Sequence, residues 1–137
     1  MEHFFLDTNI LIDLVADRKP FAKFAVALFN QAEKKQVKLY ASSFSLANMH
    51  YVLLKYMKDV DLRMVLHDLS EYLEILPLTK EILKQALKSR NNDFEDQIQL
   101  LTAAMNEKIS CIITRNRRHF KNAGIEVLGP EQALAKL

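Results

Sequence analysis

The first fourteen residues, MEHFFLDTNILIDL, set a carboxylate between two apolar runs. The run from His3 to Leu6 suits a short buried strand, and a second run from Ile10 to Leu14 follows Asp7, Thr8 and Asn9. Because burying an unpaired ionised carboxylate is costly, Asp7 must reach water, accept hydrogen bonds or bind a cation. Each outcome places Asp7 where a strand ends and a helix begins with open N–H groups. A simple helix cap at Asp7 or Asn9 explains the same pattern.

The rest of the chain alternates strand-like and helix-like segments. Strands are expected near residues 36–41, 72–76, 110–114 and 125–128, and helices near 20–35, 45–57, 61–71, 79–89 and 93–108, with a last helix from Pro130. This order is typical of a parallel sheet with helices on both faces. At 137 residues the chain is expected to form one domain, and its two glycines exclude a P-loop or a dinucleotide fingerprint.

The composition is that of a soluble globular protein, with 50% hydrophobic and 26% charged residues. Asp7 and Asp13 interrupt the most apolar N-terminal segment, and no signal-peptide pattern precedes them. We therefore expect a cytoplasmic protein without a membrane segment. The single cysteine, Cys111, is read as a small core residue.

The net charge of +2 is too small to indicate nucleic-acid binding, but the charges are unevenly distributed. Between Glu107 and Glu126 the chain has no acidic residue and several basic ones: Lys108, Arg115, Arg117, Arg118 and Lys121. A solvated face explains such a stretch as well as a binding surface does.

Ligands of an open parallel sheet bind beyond the carboxyl ends of its strands, and three polar groups qualify. They are Asp7, the segment 114–116 after the fourth predicted strand, and the segment 91–97 that opens the long helix. In that helix, Asp96 shares a face with Leu100 and Ala103, so we expect it to be directed into the molecule.

Simpler interpretations exist for the other polar candidates. Glu95 forms a capping box with Asn92, Asn48 is a core amide satisfied by backbone groups, and Asn116 is a turn residue. Asp93 belongs to a first helical turn, where the helix dipole favours acids in any protein.

Taken together, three motifs resemble the PIN-domain ribonucleases, and within them the VapC-like toxins of toxin–antitoxin modules. They are LDTNIL at residues 6–11, FED at 94–96 with Ala103 and Ala104 further along, and IITRN at 112–116 followed by Phe120. The likeness covers nearly the whole chain. It implies one PIN-like domain over residues 1–137: a three-layer α/β fold with a mostly parallel central sheet of about four to five strands flanked by helices.

The resemblance also implies an acidic cluster that binds Mg²⁺ or Mn²⁺ and cuts RNA. Asp7 and Asp96 take the positions of acidic metal ligands, and Asp93 is a further candidate ligand. Around them the resemblance places Asn9, Thr114 and Glu95. The basic residues that would hold RNA phosphates are Arg115, Arg117 and Arg118.

Two positions depart from the family pattern. Where the family commonly has glutamate in the third helix this chain has Asn48, and where it commonly has aspartate after the fourth strand it has Asn116. Both replacements keep an oxygen but lose a charge. With Asp7 and Asp96 alone we expect one weakly held ion, unless an acid at the start of the helix assists. Asn48 and Asn116 would then orient the attacking water.

Our first functional hypothesis is a metal-dependent endoribonuclease toxin with water as nucleophile, a cognate antitoxin and a homodimeric state. The apolar helices within residues 45–71 would supply the contact surface. The alternative is a PIN-fold RNA- or protein-binding module whose acidic cluster is weakened by Asn48 and Asn116. A phosphoryl-transfer enzyme with Asp7 as nucleophile is disfavoured, because the haloacid dehalogenase-like pattern requires a second aspartate where Asn9 stands.

Overall fold

The computed structural model describes residues 1–90, 92–120 and 122–137. Asn91, in the predicted loop before the long helix, and Lys121, in the basic stretch, lie outside the described residues. The strands are β1 (Glu2–Leu6), β2 (Val37–Ser42), β3 (Glu74–Leu76), β4 (Cys111–Ile113) and β5 (Glu126–Leu128). The helices are α1 (Thr8–Val15), α2 (Ala22–Glu33), α3 (Ser43–Leu53), α4 (Asp59–Ser70), α5 (Lys80–Lys88), α6 (Phe94–Ala104) and α7 (Pro130–Ala135), with a short 3₁₀ turn at Arg117–His119.

The five strands form one parallel sheet in the order β3-β2-β1-β4-β5. The central strand is β1, where Phe5 lies between Tyr40 of β2 and Ile112 of β4. The chain builds outward from β1 on one side and then returns to add β4 on the other. The order therefore reverses between β1 and β4, and the carboxyl ends at such a switch point form a crevice suited to ligands. The expected parallel α/β sheet of four to five strands is confirmed.

Both faces of the sheet are covered by helices because the side chains of β1 alternate between two cores. Phe4 and Leu6 pack into a large core with residues of α1, α2, α3, α4 and α7. Phe5 packs on the opposite face with Leu100 and Ala103 of α6. This arrangement gives the three layers that the sequence predicts.

Two helices end earlier than their apolar patterns indicate. α3 ends at Leu53 rather than near residue 57, and beyond it the Tyr56 N–H donates to the Leu53 carbonyl at 2.9 Å in a tighter turn that spans three residues. α6 ends at Ala104 rather than near residue 108, because the Asn106 side chain accepts a hydrogen bond from the Lys108 N–H and turns the chain toward β4. Within the described ranges, no helix has both the length and the apolar character needed to cross a membrane.

Candidate active site

Asp7 follows β1 and is the N-cap residue of α1, with only 7% of its surface exposed. Its Oδ1 accepts a hydrogen bond from the Thr8 N–H at 2.8 Å, and its Oδ2 accepts one from the Thr114 hydroxyl at 2.8 Å. The Asn9 side-chain amide donates to the same Oδ2 at 3.4 Å. Asp7 therefore caps the helix, as one interpretation of the sequence predicts, and its carboxylate lies buried at the crevice between β1 and β4.

Thr114 ties the end of β4 to the end of β1. Besides donating to Asp7, its hydroxyl oxygen accepts hydrogen bonds from the Asn9 amide at 3.2 Å and from the Asn116 N–H at 3.1 Å. The Asn9 side-chain oxygen accepts from the Arg115 N–H at 3.4 Å. Asn9 and Thr114 thus lie beside Asp7, where the family resemblance places them, and their part in a reaction stays a prediction.

A buried amide that the sequence analysis missed, Gln99 of α6, also contacts Asp7. Its Nε2 lies 3.3 Å from Asp7 Oδ1, 3.2 Å from Thr8 Oγ1 and 2.8 Å from Ser45 Oγ. Its Oε1 accepts a hydrogen bond from the Ser42 hydroxyl at 2.7 Å. With 2% of its surface exposed, Gln99 joins the N-terminal end of α3 to the Asp7 carboxylate. We call Gln99, Ser42, Ser45 and Thr8 the amide network.

The sequence contains a signal that points to this network. Gln97, Gln99 and Thr102 interrupt the apolar pattern of α6 on the side that the structure buries. Polar side chains in a buried helix face need hydrogen-bond partners, so they indicate polar neighbours across the interface. Gln99 also follows Asp96 by three positions, which places both side chains on neighbouring turns of one face.

Asp96 lies in the first turn of α6, and its side chain is 17% exposed. Burial, followed by the negative charges of Asp93 and Asp7, raises the pKa of the Asp96 carboxyl to about 7. The His119 Nδ1 lies 3.7 Å from Asp96 Oδ2. The fold therefore brings the two predicted acidic ligands, Asp7 and Asp96, close enough to repel each other.

The start of α6 differs from the predicted capping box. Asp93, not Asn92, is the N-cap residue, and its Oδ1 accepts a hydrogen bond from the Asp96 N–H at 2.8 Å. The Asn92 amide instead donates to Gln97 Oε1 at 2.9 Å. The capping-box interpretation of Glu95 was wrong, because the N-cap lies one position later, at Asp93, and the N–H group that it caps is that of Asp96 rather than Glu95. Glu95 itself is exposed.

Asn48 and Asn116, at positions where the resemblance expects acids, make fewer contacts with the site. Asn48 is half-buried on α3, and Asn116 is exposed just after β4. Among the described residues, neither side chain donates a hydrogen bond to Asp7 or Asp96. Asn116 contributes its backbone N–H to Thr114. A water-orienting role for either side chain stays a prediction.

The basic residues of this edge fall into two environments. Arg115 forms a two-point ion pair with the buried Asp13, at 2.6 Å from Nε to Oδ2 and 3.1 Å from Nη2 to Oδ1. Its guanidinium carbon also lies 4.0 Å from the centre of the Phe21 ring. Arg117 and Arg118, in the 3₁₀ turn, are exposed. The Arg115 charge is therefore already matched by Asp13, whereas Arg117 and Arg118 face solvent.

The acidic residues fit a divalent cation. Burial and the negative charges of Asp93 and Asp7 raise the pKa of the Asp96 carboxyl, so a cation here would be electrostatically favoured. Within the described residues, no group of three or more His, Cys, Asp or Glu side chains already converges on one point. Two carboxylates suit Mg²⁺, because this ion is commonly bound by one or two carboxylates and keeps several water ligands.

Comparison with known proteins supports the same family. A sequence profile of the PIN domain matches residues 3–118. Ribonuclease VapC1 of Aquifex aeolicus (strain VF5) is 28% identical over 137 residues, which cover 96% of this chain and 92% of that protein. The fold is similar to that of FitAB bound to an IR36 DNA fragment, with a TM-score of 0.67, 16% identity, and coverage of 93% of this chain and 94% of that one. It is also similar to a toxin–antitoxin complex from Klebsiella pneumoniae, with a TM-score of 0.63, 24% identity and coverage of 92% and 96%.

The matched region contains each of the three motifs on which the resemblance rests, from LDTNIL at 6–11 to IITRN at 112–116. The parallel sheet places the first and last of these motifs at adjacent strand ends, and Asp96 of the middle motif lies close to Asp7. Profile, fold and arrangement agree, and the chain belongs to the PIN domain family.

Proposed function

We propose that this chain is an endoribonuclease that hydrolyses RNA phosphodiester bonds with a metal-activated water and acts as the toxin of a toxin–antitoxin pair. The proposal rests on two carboxylates: Asp7 at the end of β1, and Asp96, one turn before Gln99, whose amide lies 3.3 Å from Asp7 Oδ1. Membership of the PIN domain family and a 28% identical relative named as a ribonuclease support the reaction class.

In this proposal Asp7 and Asp96 hold Mg²⁺ or Mn²⁺, and Asp93 is a further ligand at the same helix end. Such an ion, when bound, lowers the pKa of a water molecule and stabilises negative charge on a phosphate. Gln99 and Thr114 hold the Asp7 carboxylate in one orientation through hydrogen bonds at 3.3 and 2.8 Å. A fixed carboxylate needs little rearrangement when it binds a cation.

The remaining predicted residues act around this pair. Asn48 and Asn116 orient the attacking water with their amide groups, which can both donate and accept hydrogen bonds. Glu95 is exposed beside Asp96 and adds negative charge at this helix end. Arg117 and Arg118 bind RNA phosphates, and their exposure leaves them free to do so.

The proposed partners are an antitoxin and a second copy of the chain. The solved structures of similar fold include toxin–antitoxin complexes, which supports an antitoxin. Large apolar side chains are exposed from α3 to α4, where the sequence analysis places a contact surface: Tyr51, Leu54, Tyr56, Val60 and Met64. Apolar side chains grouped on one surface favour association with another protein.

A second candidate function is RNA or protein binding without turnover. It is favoured by the lack of a converging group of three metal-binding side chains within the described residues. This candidate predicts RNA affinity that falls with salt, with no cleavage in Mg²⁺ or Mn²⁺.

The test is cleavage of a labelled single-stranded RNA by the purified protein in Mg²⁺, in Mn²⁺ and in EDTA. We expect cleavage only with a divalent ion, and a loss of at least about 100-fold in Asp7→Asn and Asp96→Asn, the scale of removing one strongly stabilising group. Asp61→Asn, an exposed acid in the first turn of α4, is the matched control and should cleave like the unaltered chain. Cleavage in EDTA, or full activity in either site variant, contradicts the proposal.

A further inference from the structure

A cleft of about 530 Å³ opens next to Arg115 and Arg117, in the segment that follows β4. It lies between the start of α2, the basic 3₁₀ turn and the start of α7. Pockets that bind small molecules span roughly 300–1,000 Å³, so the cleft has the size of a binding site. Phe21 and Phe24 line one side, Arg115 and Arg117 another, and Glu131 a third.

Thr114 connects the cleft to Asp7 and Asp96, which we call the acidic pair. Thr114, whose hydroxyl donates to Asp7, directly precedes Arg115 in the chain. The Arg115 N–H donates to Asn9, and its guanidinium forms part of the cleft wall. A nucleic-acid strand bound at the acidic pair would therefore have the cleft within reach of an adjoining nucleotide.

The walls have the chemistry that binds an unpaired base. Phe21 and Phe24 are half-buried, so part of each ring remains accessible. The Arg115 guanidinium lies 4.0 Å from the Phe21 ring centre and is locked by two hydrogen bonds to Asp13. Unstacked bases bind to aromatic rings and to the planes of arginine side chains. Because Arg115 is held rigidly, it offers such a plane without further loss of side-chain freedom.

The charges around the cleft also fit a nucleotide. Arg117 is exposed at its rim and can bind a phosphate. Glu131 contributes a carboxylate, which can accept hydrogen bonds from the exocyclic amino group of a base. An apolar peptide would leave these charged groups without partners, whereas a nucleotide matches both the rings and the charges.

We propose that the cleft lined by Phe21, Phe24 and Arg115 binds one unpaired nucleobase of the RNA, next to the bond that is cut, while Arg117 binds the adjoining phosphate. The inference rests on the proposed RNA substrate and narrows it to single-stranded RNA whose bases are free to leave the stack. Paired bases cannot enter the cleft, so a fully paired duplex binds more weakly.

The experiment measures binding of a fluorescent single-stranded RNA by anisotropy in EDTA, so that binding is separated from cleavage. We compare the unaltered chain with Phe24→Ala and Phe21→Leu, the latter keeping apolar bulk beneath Arg115. Loss of one stacking contact should weaken binding about five-fold or more. Tyr72→Ala is the control: this exposed ring lies just before β3, away from the carboxyl edge, and should change the affinity less than about two-fold.

Two further RNAs complete the test, a duplex of the same sequence and a single strand carrying abasic positions. Both should bind more weakly than the intact single strand, and the abasic strand should lose its sensitivity to Phe24→Ala. Equal affinity of both cleft variants and the unaltered chain, or no preference for the intact single strand, overturns the inference.

The base-binding site and the proposed nuclease activity can be refuted independently of each other. If the cleft variants weaken binding while no RNA is cut in Mn²⁺, the base site stands and the nuclease proposal fails. If RNA is cut in Mn²⁺ and the cleft variants bind and cut as the unaltered chain does, the nuclease stands and the base site is refuted.

Discussion

At the scale of single residues, Asp7 and Asp13 show two ways of burying a carboxylate. Asp13 is 1% exposed and paired with Arg115, so its charge is matched by a cation. Asp7 is 7% exposed and is held by uncharged donors, among them the Thr8 N–H and the Thr114 hydroxyl. Hydrogen bonds of this kind fix the orientation of a carboxylate but leave its negative charge in place. Asp7 thus remains able to attract a cation.

Replacing Gln99 by leucine tests the amide network. The variant leaves the Ser42 and Ser45 hydroxyls short of a partner in a buried position and removes a donor to Asp7. Both hydroxyls keep other partners, so the cost is that of the lost hydrogen bonds, each about 0.5–1.5 kcal/mol. We expect the free energy of unfolding, measured in urea, to fall by about 1–3 kcal/mol in total. Gln85→Leu, on the exposed side of α5, is the control and should change it by less than about 0.5 kcal/mol. Equal stability of the two variants refutes the role of the network.

Replacing Arg115 by methionine tests the buried ion pair. Asp13 would keep a buried charge without a partner, and such a loss costs about 3–5 kcal/mol. Since 22% of the Arg115 side chain is exposed, we expect the lower end of that range in urea unfolding. Arg63→Met breaks an exposed pair with Asp59 and should cost less than about 1 kcal/mol. The double variant Asp13→Leu/Arg115→Met should recover part of the loss, and a cost no larger than that of Arg63→Met contradicts the assignment.

Sequence reasoning reached some of these residues and not others for a physical reason. Asp7, Asn9 and Thr114 belong to short segments next to predicted strands, so their place at the sheet edge follows from local pattern. Gln99 and the pair of Asp13 with Arg115 depend on which helix lies against which strand end. The local sequence pattern does not show which elements meet in the fold. The polar residues that interrupt the apolar face of α6 nevertheless indicate a polar neighbour there.

At the scale of elements, the site depends on where α6 begins. The sequence predicts this helix and its inward acid, Asp96, but assigns its cap to Asn92. The structure gives that position to Asp93, whose carboxylate both caps the helix and raises the pKa of Asp96. Helix ends were predicted less well than helices, because caps and turn residues such as Asn106 compete with the apolar pattern. The sequence predicts that the strands are parallel, but it does not predict their order in the sheet.

Two substitutions at Asp93 separate the helix-capping role of its side chain from the effect of its negative charge. Asp93→Asn keeps a side-chain acceptor for the Asp96 N–H, whereas Asp93→Ala removes it. In metal-free protein we expect Asp93→Ala to lower the free energy of unfolding by about 1 kcal/mol, and Asp93→Asn to change it little. If Asp93 is a metal ligand, both variants should weaken Mn²⁺ binding, Asp93→Ala at least as much as Asp93→Asn, because the amide keeps an oxygen but loses the charge. If Asp93→Asn leaves the Mn²⁺ affinity unchanged, Asp93 caps the helix and is not a metal ligand.

At the scale of the whole molecule, the candidate site exists only because three distant segments meet. The ends of β1 and β4 are adjacent through the reversal of strand order, and α6, which packs on one face of the sheet, brings Asp96 and Gln99 to them. The parallel sheet and its two covered faces were predictable from the alternation of segments. A cation at this meeting point would join the three segments and should therefore also stabilise the fold.

The most direct measurement is a titration of chelator-treated protein with Mn²⁺, in which electron paramagnetic resonance counts the free ion. We expect about one Mn²⁺ bound per chain, lost in Asp7→Asn and in Asp96→Asn and retained in Asp61→Asn. Absence of binding in the unaltered chain, or an affinity that neither site variant changes, would contradict the claim that Asp7 and Asp96 share a metal ion.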